Sequence, residues 1–265
     1  VGVLGAAEET ALFYKILIQV TQDIGAQYDQ DHIPVIIYTL RRDFSEDVQQ
    51  ALTHFCEINV THIISLAPII DSLIKERSTP HLSKPVGVSM ETFTANVITW
   101  LIQHPPTKKQ SQKIMKSTKK IGQNRLGILG GMGPQATHVL YDLILKNNPN
   151  VTPVVWADPT IPDRTVCILK NHKKMEKDII NKLTLALRGL AYLGCQRVMI
   201  PCNTVHYWFD TIKKVAQEVD IQVVNLIEET GRYINVHFPE QESVLLLSTL
   251  GTLKANVYQT YFKAF

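Results

Sequence analysis

The chain has 265 residues, 45% of them apolar and 19% charged, a composition that can bury a core and excludes a disordered chain. A formal charge of +3 is too small to argue for a nucleic-acid partner, and no apolar stretch is long enough to cross a bilayer. Four cysteines, Cys56, Cys167, Cys195 and Cys202, stand at irregular spacings without a CxxC pair, which argues against a disulfide scaffold or zinc site and for a reducing, cytoplasmic setting.

In chain order, Val1-Gly2-Val3-Leu4-Gly5 is a short apolar strand, and a helical pattern runs from about Glu8 to Val20. Pro34 to Tyr38 predicts a buried strand, and Ser45 opens a helix with Val48, Ala51, Leu52 and Phe55 on one face. A third strand covers His62 to Leu66, with a helix from Pro68 to Arg77. A fourth covers Pro85 to Val88, with a helix from Glu91 to Ile102. Alternating strands and helices predict an α/β fold, parallel sheets flanked by helices in the doubly wound manner. From His104 to Asn124 the chain turns polar and lysine-rich and reads as a solvated linker. It lacks the aromatic residues that a nucleic-acid-binding tail would use for stacking.

The next segment, Arg125 to Thr137, is an apolar run closed by Gly130, Gly131 and Gly133, with Pro134 opening a helix. A plain strand–helix connection needs one glycine. Three glycines allow positive φ and close backbone approach, so a ligand loop at a helix start is expected here, suited to an anionic group.

From this point the pattern of the first half repeats. Gly2 to Gly5 corresponds to Gly127 to Gly130, the Tyr14 helix to the Tyr141 helix, and Pro34-Val35-Ile36 to Pro153-Val154-Val155. The Ile63 strand corresponds to Arg197 to Ile200, and Val86–Thr92 to Val223–Thr230. The copies differ at the strand ends: Ala6-Ala7-Glu8-Glu9 replaces Gly131 to Pro134, and Leu66 to Ile69 replaces Pro201 to Thr204. The boundaries read as a degenerate unit over 1–103, a linker over 104–124, a unit with polar tips over 125–242 and the start of a further lobe over 243–265.

Ligands of parallel sheets bind beyond the carboxyl ends of the strands. Cys202, Asn203 and Thr204 follow such a strand end, with Val205 to Val215 continuing as a helix. A cysteine at a helix start feels the positive dipole end, which predicts a lowered pKa and a reactive thiolate, favoured by the flanking Asn203 and Thr204 over the alternative of a plain core cysteine. Ile161-Pro162-Asp163-Arg164-Thr165 reaches the same edge. Arg164 there either clamps a carboxylate or pairs on the surface with Asp163. His206 either assists the thiol or acts as a structural donor, whereas Cys167, at a helix start, and Cys195, at a helix end, read as packing residues. No His, Cys, Asp or Glu set has metal-ligand spacing, and no metal is expected.

Residues 126–137, 161–165, 200–207 and 225–230, followed by Leu245 to Lys254, resemble the aspartate racemases of the cofactor-independent aspartate/glutamate/hydantoin racemase group. The resemblance is close over 125–265 and holds over 1–103 only as a decayed copy of the first lobe. It implies an amino-acid racemase without pyridoxal phosphate, interconverting L- and D-aspartate or glutamate. In such enzymes two cysteines on opposite faces of the substrate Cα take and deliver the α-proton. The resemblance makes Cys202 one of them. It makes Met132, Gly133, Asn203, Thr204, Thr249 and Thr252 substrate-binding, with Arg164 on the side-chain carboxylate. It implies no cofactor, and a homodimer.

The expected second Cys-Thr-Glu-type motif lies beyond Phe265 in the family pattern, so the chain alone is expected to lack its second base. A truncated chain, a pseudoenzyme that only binds an acidic amino acid and a partner supplying the base all remain open; the start at Val1 also reads as a fragment or processed chain. A different class also stays open. Gly131 to Ala136 fits G-x-G-x-x-A after a strand, with Asp158 about twenty residues on, as a dinucleotide-binding oxidoreductase requires.

Overall fold

The computed structural model describes residues 1–23, 25–40, 51–53, 55, 60, 62–66, 81–83, 125–148, 150–240 and 243–262. The expected helices over 68–77 and 91–102, the strand over 85–88, the linker over 104–124, Cys56 and the start of the Ser45 helix lie outside these residues.

The first unit contributes β1 (Gly2–Gly5), α1 (Ala7–Asp23), a 3-10 turn (Asp29–Asp31), β2 (Val35–Thr39), β3 (Ile63–Ser65) and β4 (His81–Ser83). The second contributes β5 (Arg125–Gly130), α2 (Pro134–Asn147), β6 (Thr152–Ala157), α3 (Arg164–Leu169), α4 (Lys173–Tyr192) and β7 (Cys195–Met199). It continues through a 3-10 turn (Thr204–Trp208), α5 (Phe209–Glu218), β8 (Gln222–Val223) and α6 (Leu226–His237). Two short helices follow, α7 (Leu250–Ala255) and α8 (Val257–Tyr261). The α/β architecture agrees with the alternating pattern. Cys195 opens β7 rather than closing a helix, because α4 ends at Tyr192 and Gly194 turns the chain with φ of 82°.

The two units share one eight-stranded sheet in the order β4-β3-β1-β2-β6-β5-β7-β8. Within each unit the strands are parallel, but β2 and β6 meet antiparallel, with Val35 opposite Ala157 and Tyr38 opposite Val154. The two corresponding edge strands therefore join about a pseudo-two-fold axis.

Strand periodicity then makes two cores, each running through both units. On one face Val35, Ile37, Ile128 and Val155 pack with Phe13, Tyr14 and Leu17 of α1 and Tyr141 and Ile144 of α2. On the other, Ile36, Tyr38, Leu129, Val154 and Trp156 pack with Leu183, Leu187 and Leu190 of α4. The Arg125 guanidinium lies 4.2 Å from the centroid of the Tyr38 ring, a cation–π contact across the junction.

The same pseudo-symmetry appears in the buried hydrogen bonds. Thr10 and Tyr14 occupy one turn of α1, and Thr137 and Tyr141 the equivalent turn of α2. The Tyr141 hydroxyl is bonded to Thr10 Oγ1 and Thr39 Oγ1, both at 2.7 Å, while the Tyr14 hydroxyl bonds Thr137. Burial pushes the Tyr141 phenol up to about 12, so it stays a neutral donor. Tyr141→Phe is expected to cost about 1–3 kcal/mol, because the threonine hydroxyls lose a shared buried partner. Urea unfolding checks this, and an unchanged midpoint would mean that the bonds do not join the units.

Candidate active site

The carboxyl ends of β5, β6 and β7 lie side by side, and the three loops that leave them carry the expected site residues other than Thr249 and Thr252, which stand at the start of α7. After β5, Gly131 and Gly133 take positive φ, 86° and 112°. Gly130 does not: it ends the strand, and its missing side chain makes room for Thr137, whose Oγ1 accepts from the Gly131 N–H at 2.9 Å. Gly133 caps α2, and Pro134 sits in its first turn, as the sequence indicated. Met132 is buried in the core on the α4 face.

After β6 the chain turns through Asp158 to Asp163. Asp158 accepts from the Thr160 N–H at 2.9 Å and its hydroxyl at 2.6 Å, so the acid that a dinucleotide reading would place on a ribose serves its own turn. Asp163 does not pair with Arg164. Its carboxylate accepts from the Val166 N–H at 2.9 Å and caps α3.

Arg164 is only 8% exposed. Its Nη1 donates to the carbonyls of Ile161 and Pro162 at 3.0 and 3.1 Å, and its Nη2 to Asp29 Oδ2 at 2.8 Å. Nε is buried without a hydrogen-bond acceptor in the protein. Asp29 comes from the first unit, 135 residues away in sequence. Nothing around it marks a site, and sequence reasoning passed over it. Gln30 holds the same turn in place, its Nε2 donating to the Ile161 carbonyl at 3.1 Å.

After β7, Cys202 is partly buried against the core, beside Arg164. The expected lowering of its pKa is overturned. Burial pushes the thiol up, more than it is held down by the Arg164 charge, the Val205 N–H and the bond to Arg164; the Asp29 charge pushes it up further. The physical reason lies partly in the local fold. The segment starts as a five-residue 3-10 turn, and the α-helix begins only at Phe209, so no long helix dipole points at the sulfur.

The hydroxyls of Thr204, Thr249 and Thr252 converge beside the cysteine. Thr204 Oγ1 lies 2.8 Å from Thr252 Oγ1 and 3.1 Å from Thr249 Oγ1, and the latter two are 3.1 Å apart. Thr249 caps α7, accepting from the Thr252 N–H at 3.2 Å. Gly251 lets α7 approach α3, since a Cβ there would meet the Thr165 hydroxyl at 2.6 Å. Asn203 points outward, and its Oδ1 accepts from the Tyr258 hydroxyl at 3.0 Å, a partner the sequence gave no reason to expect. Cys202, Arg164 and the three threonines thus share one corner, with Asn203 at its rim. Cys167 and Cys195 are each 3% exposed, and burial pushes both thiols up, as suits packing residues. Among the described residues no group of His, Cys, Asp and Glu could hold a metal, and no helix is long and apolar enough to cross a membrane.

His206 is structural. Nδ1 lies 2.8 Å from the Cys202 carbonyl oxygen, and Nε2 accepts from the Leu226 N–H at 3.2 Å, which requires the neutral Nδ1–H tautomer. It ties the cysteine loop to the start of α6, where Asn225 caps with bonds from the Ile227 and Glu228 N–H groups. Burial lowers the His206 pKa. The unfolded chain therefore takes up a proton near pH 6.5 where the folded chain resists it. The contribution is whole above that pH and is lost as pH falls toward the lowered folded value. His206→Asn, which keeps a donor for the Cys202 carbonyl, is expected to lose less stability than the parent between pH values of about 7.5 and 5.5. Urea unfolding at the two pH values reads this, and equal losses would remove His206 from the acid response.

Residues 129–265 match the model of the Asp/Glu/Hydantoin racemase family. The chain is 25% identical to the broad specificity amino-acid racemase RacX of Bacillus subtilis over 150 residues, 52% of this chain and 60% of that protein. Among solved structures, Picrophilus torridus aspartate racemase is 26% identical, covering 53% of this chain and 59% of that one, with a TM-score of 0.46. Glutamate racemase isoform RacE1 of Bacillus anthracis matches 90% of this chain and 81% of its own at 13% identity, with a TM-score of 0.34. The matched part of the chain spans about three-fifths of the length of RacX and of the Picrophilus enzyme.

Proposed function

Since the chain belongs to the Asp/Glu/Hydantoin racemase family, we propose that it carries the first lobe of an amino-acid racemase that works without pyridoxal phosphate, Cys202 being one acid/base. The observation that carries this is the shared corner of Cys202, Arg164, Thr204, Thr249 and Thr252. An amino-acid α-proton is a weak acid, so its removal needs a base against Cα and donors for the carboxylate that gathers negative charge. The threonine hydroxyls and Asn203 are those donors, with the Gly133 turn beside them. Arg164 opposes the desolvation of the sulfur, and its guanidinium favours the thiolate over the thiol. An acidic substrate such as aspartate or glutamate would need Arg164 for its second carboxylate.

One thiol suffices to exchange the α-proton with solvent, while inversion needs a second donor on the opposite face. The chain is therefore tested by incubating it with L-amino acids in D2O and following loss of the α-proton signal by NMR. Deuterium entering at Cα is the expected result. A chain that binds amino acids without exchanging them would be the non-catalytic binding protein, and one that neither exchanges nor binds them would end the reading.

A further inference from the structure

The antiparallel β2–β6 junction reverses the first unit relative to the second, so the turn entering β2 hangs over the carboxyl end of β6. That turn carries Asp29. Its carboxylate sits on the guanidinium edge of Arg164 with an ion pair of 2.8 Å, the Arg164 side chain 10% exposed and that of Asp29 29%. Nη1 is already committed to two main-chain carbonyls and Nη2 to Asp29, so of the three guanidinium nitrogens only the buried Nε lacks a protein acceptor. Gln30 fixes the turn to Ile161, so the carboxylate is held in place by the chain itself.

The geometry points to Asp29 as a specificity-determining residue: by occupying Arg164, the first unit closes the site to acidic side chains and selects amino acids whose side chain carries no carboxylate. This deepens the racemase reading and rests on it. The physical reason is like charge at short range. A second carboxylate brought to Arg164 would meet Asp29 beside a cation whose charge is already balanced, and in a desolvated corner that repulsion is weakly screened. A neutral side chain meets no such penalty. The discrimination is thus built as a repulsive element supplied by the decayed copy. Asp29 acts through Arg164 and has no part in the proton transfer itself.

Aspartate and asparagine differ little in size and by one charge, so their ratio reads the proposal. In D2O the parent chain is expected to exchange the α-proton of L-asparagine faster than that of L-aspartate. Asp29→Ala is expected to shift the ratio of the two rates toward aspartate by about tenfold or more, since Nη2 is then freed and the guanidinium charge is no longer balanced by a carboxylate. The double variant Asp29→Ala/Arg164→Met is expected to lose that gain, which separates an effect through Arg164 from a general loosening of the fold.

A parent chain that prefers aspartate would overturn the proposal, because the substrate would then be displacing Asp29. An unchanged ratio in Asp29→Ala would overturn it as well. Should no exchange be seen with either amino acid, the catalytic reading fails separately. The rise in Tm caused by each ligand still gives the binding preference of parent and variants, and the same two outcomes decide. Asp29→Asn, which keeps the shape and removes the charge, serves if the alanine variant does not fold.

Discussion

Cys202→Ser is expected to lower α-proton exchange by about 10³-fold, within the span that general bases contribute. The substitution keeps the size and the backbone of the 3-10 turn. It replaces a thiol with a hydroxyl, which is far too weak an acid to supply an anionic base near neutral pH. Arg164 cannot compensate, because its charge already assists the sulfur and leaves the group still above the ordinary thiol range.

The same balance sets the pH dependence of the parent chain. With burial pushing the thiol up, exchange is expected to keep rising with pH through and beyond about 8.5, where a free thiol is half ionised. Arg164→Met, which removes the charge opposing burial, is expected to move that rise to still higher pH. NMR exchange rates across the alkaline range measure both effects. A serine variant that keeps exchange within about twofold of the parent would show that another group takes the proton.

The largest structural effect is expected at Gly131. A methyl group there would lie 2.5 Å from the Asp158 nitrogen, 2.6 Å from the Asp158 carbonyl carbon and 2.7 Å from the Pro159 nitrogen. All three are main-chain atoms, so no side chain can rotate to make room, and φ of 86° adds backbone strain of about 1–2 kcal/mol. Together with overpacking of about 1–3 kcal/mol, Gly131→Ala is expected to cost roughly 2–5 kcal/mol. The displaced loop is the one that leads to Arg164, so aspartate–asparagine discrimination should weaken along with stability. Gly133 gives the contrast. Its φ is 112°, but the nearest atom to an added Cβ is the Ala136 Cβ at 3.7 Å. Gly133→Ala is expected to cost only the strain, about 1–2 kcal/mol. Thermal unfolding of both variants tests the comparison, and equal losses would rule out close backbone approach as the reason for Gly131.

Much of this was legible in the chain because it is local. The strand–helix alternation, the repeat of the Tyr14 and Tyr141 helices and the glycine turn all follow from periodicity and from conformations that one residue type adopts easily. The grouping of Arg164, Cys202 and Thr204 at one edge followed from a rule about parallel strands, since each stands just past a strand end. Other features depend on a sum of distant influences. The direction of the Cys202 shift turned on how deeply the sulfur is packed against how close a guanidinium lies, and neither is encoded in the residues around it. The role of His206 was open for the same reason: the Leu226 N–H that fills its second nitrogen belongs to a helix beyond the next strand.

The residues by themselves determined two copies of one α/β unit and a polar edge on the second only, because strand and helix periods and turn chemistry act within a few neighbours. How the copies meet was decided by the tertiary structure alone. Antiparallel pairing of β2 with β6 is a contact between two edge strands, chosen by which apolar faces can be buried together, and no short stretch of sequence specifies it. That single pairing reverses one unit against the other and brings the carboxylate of Asp29 onto Arg164.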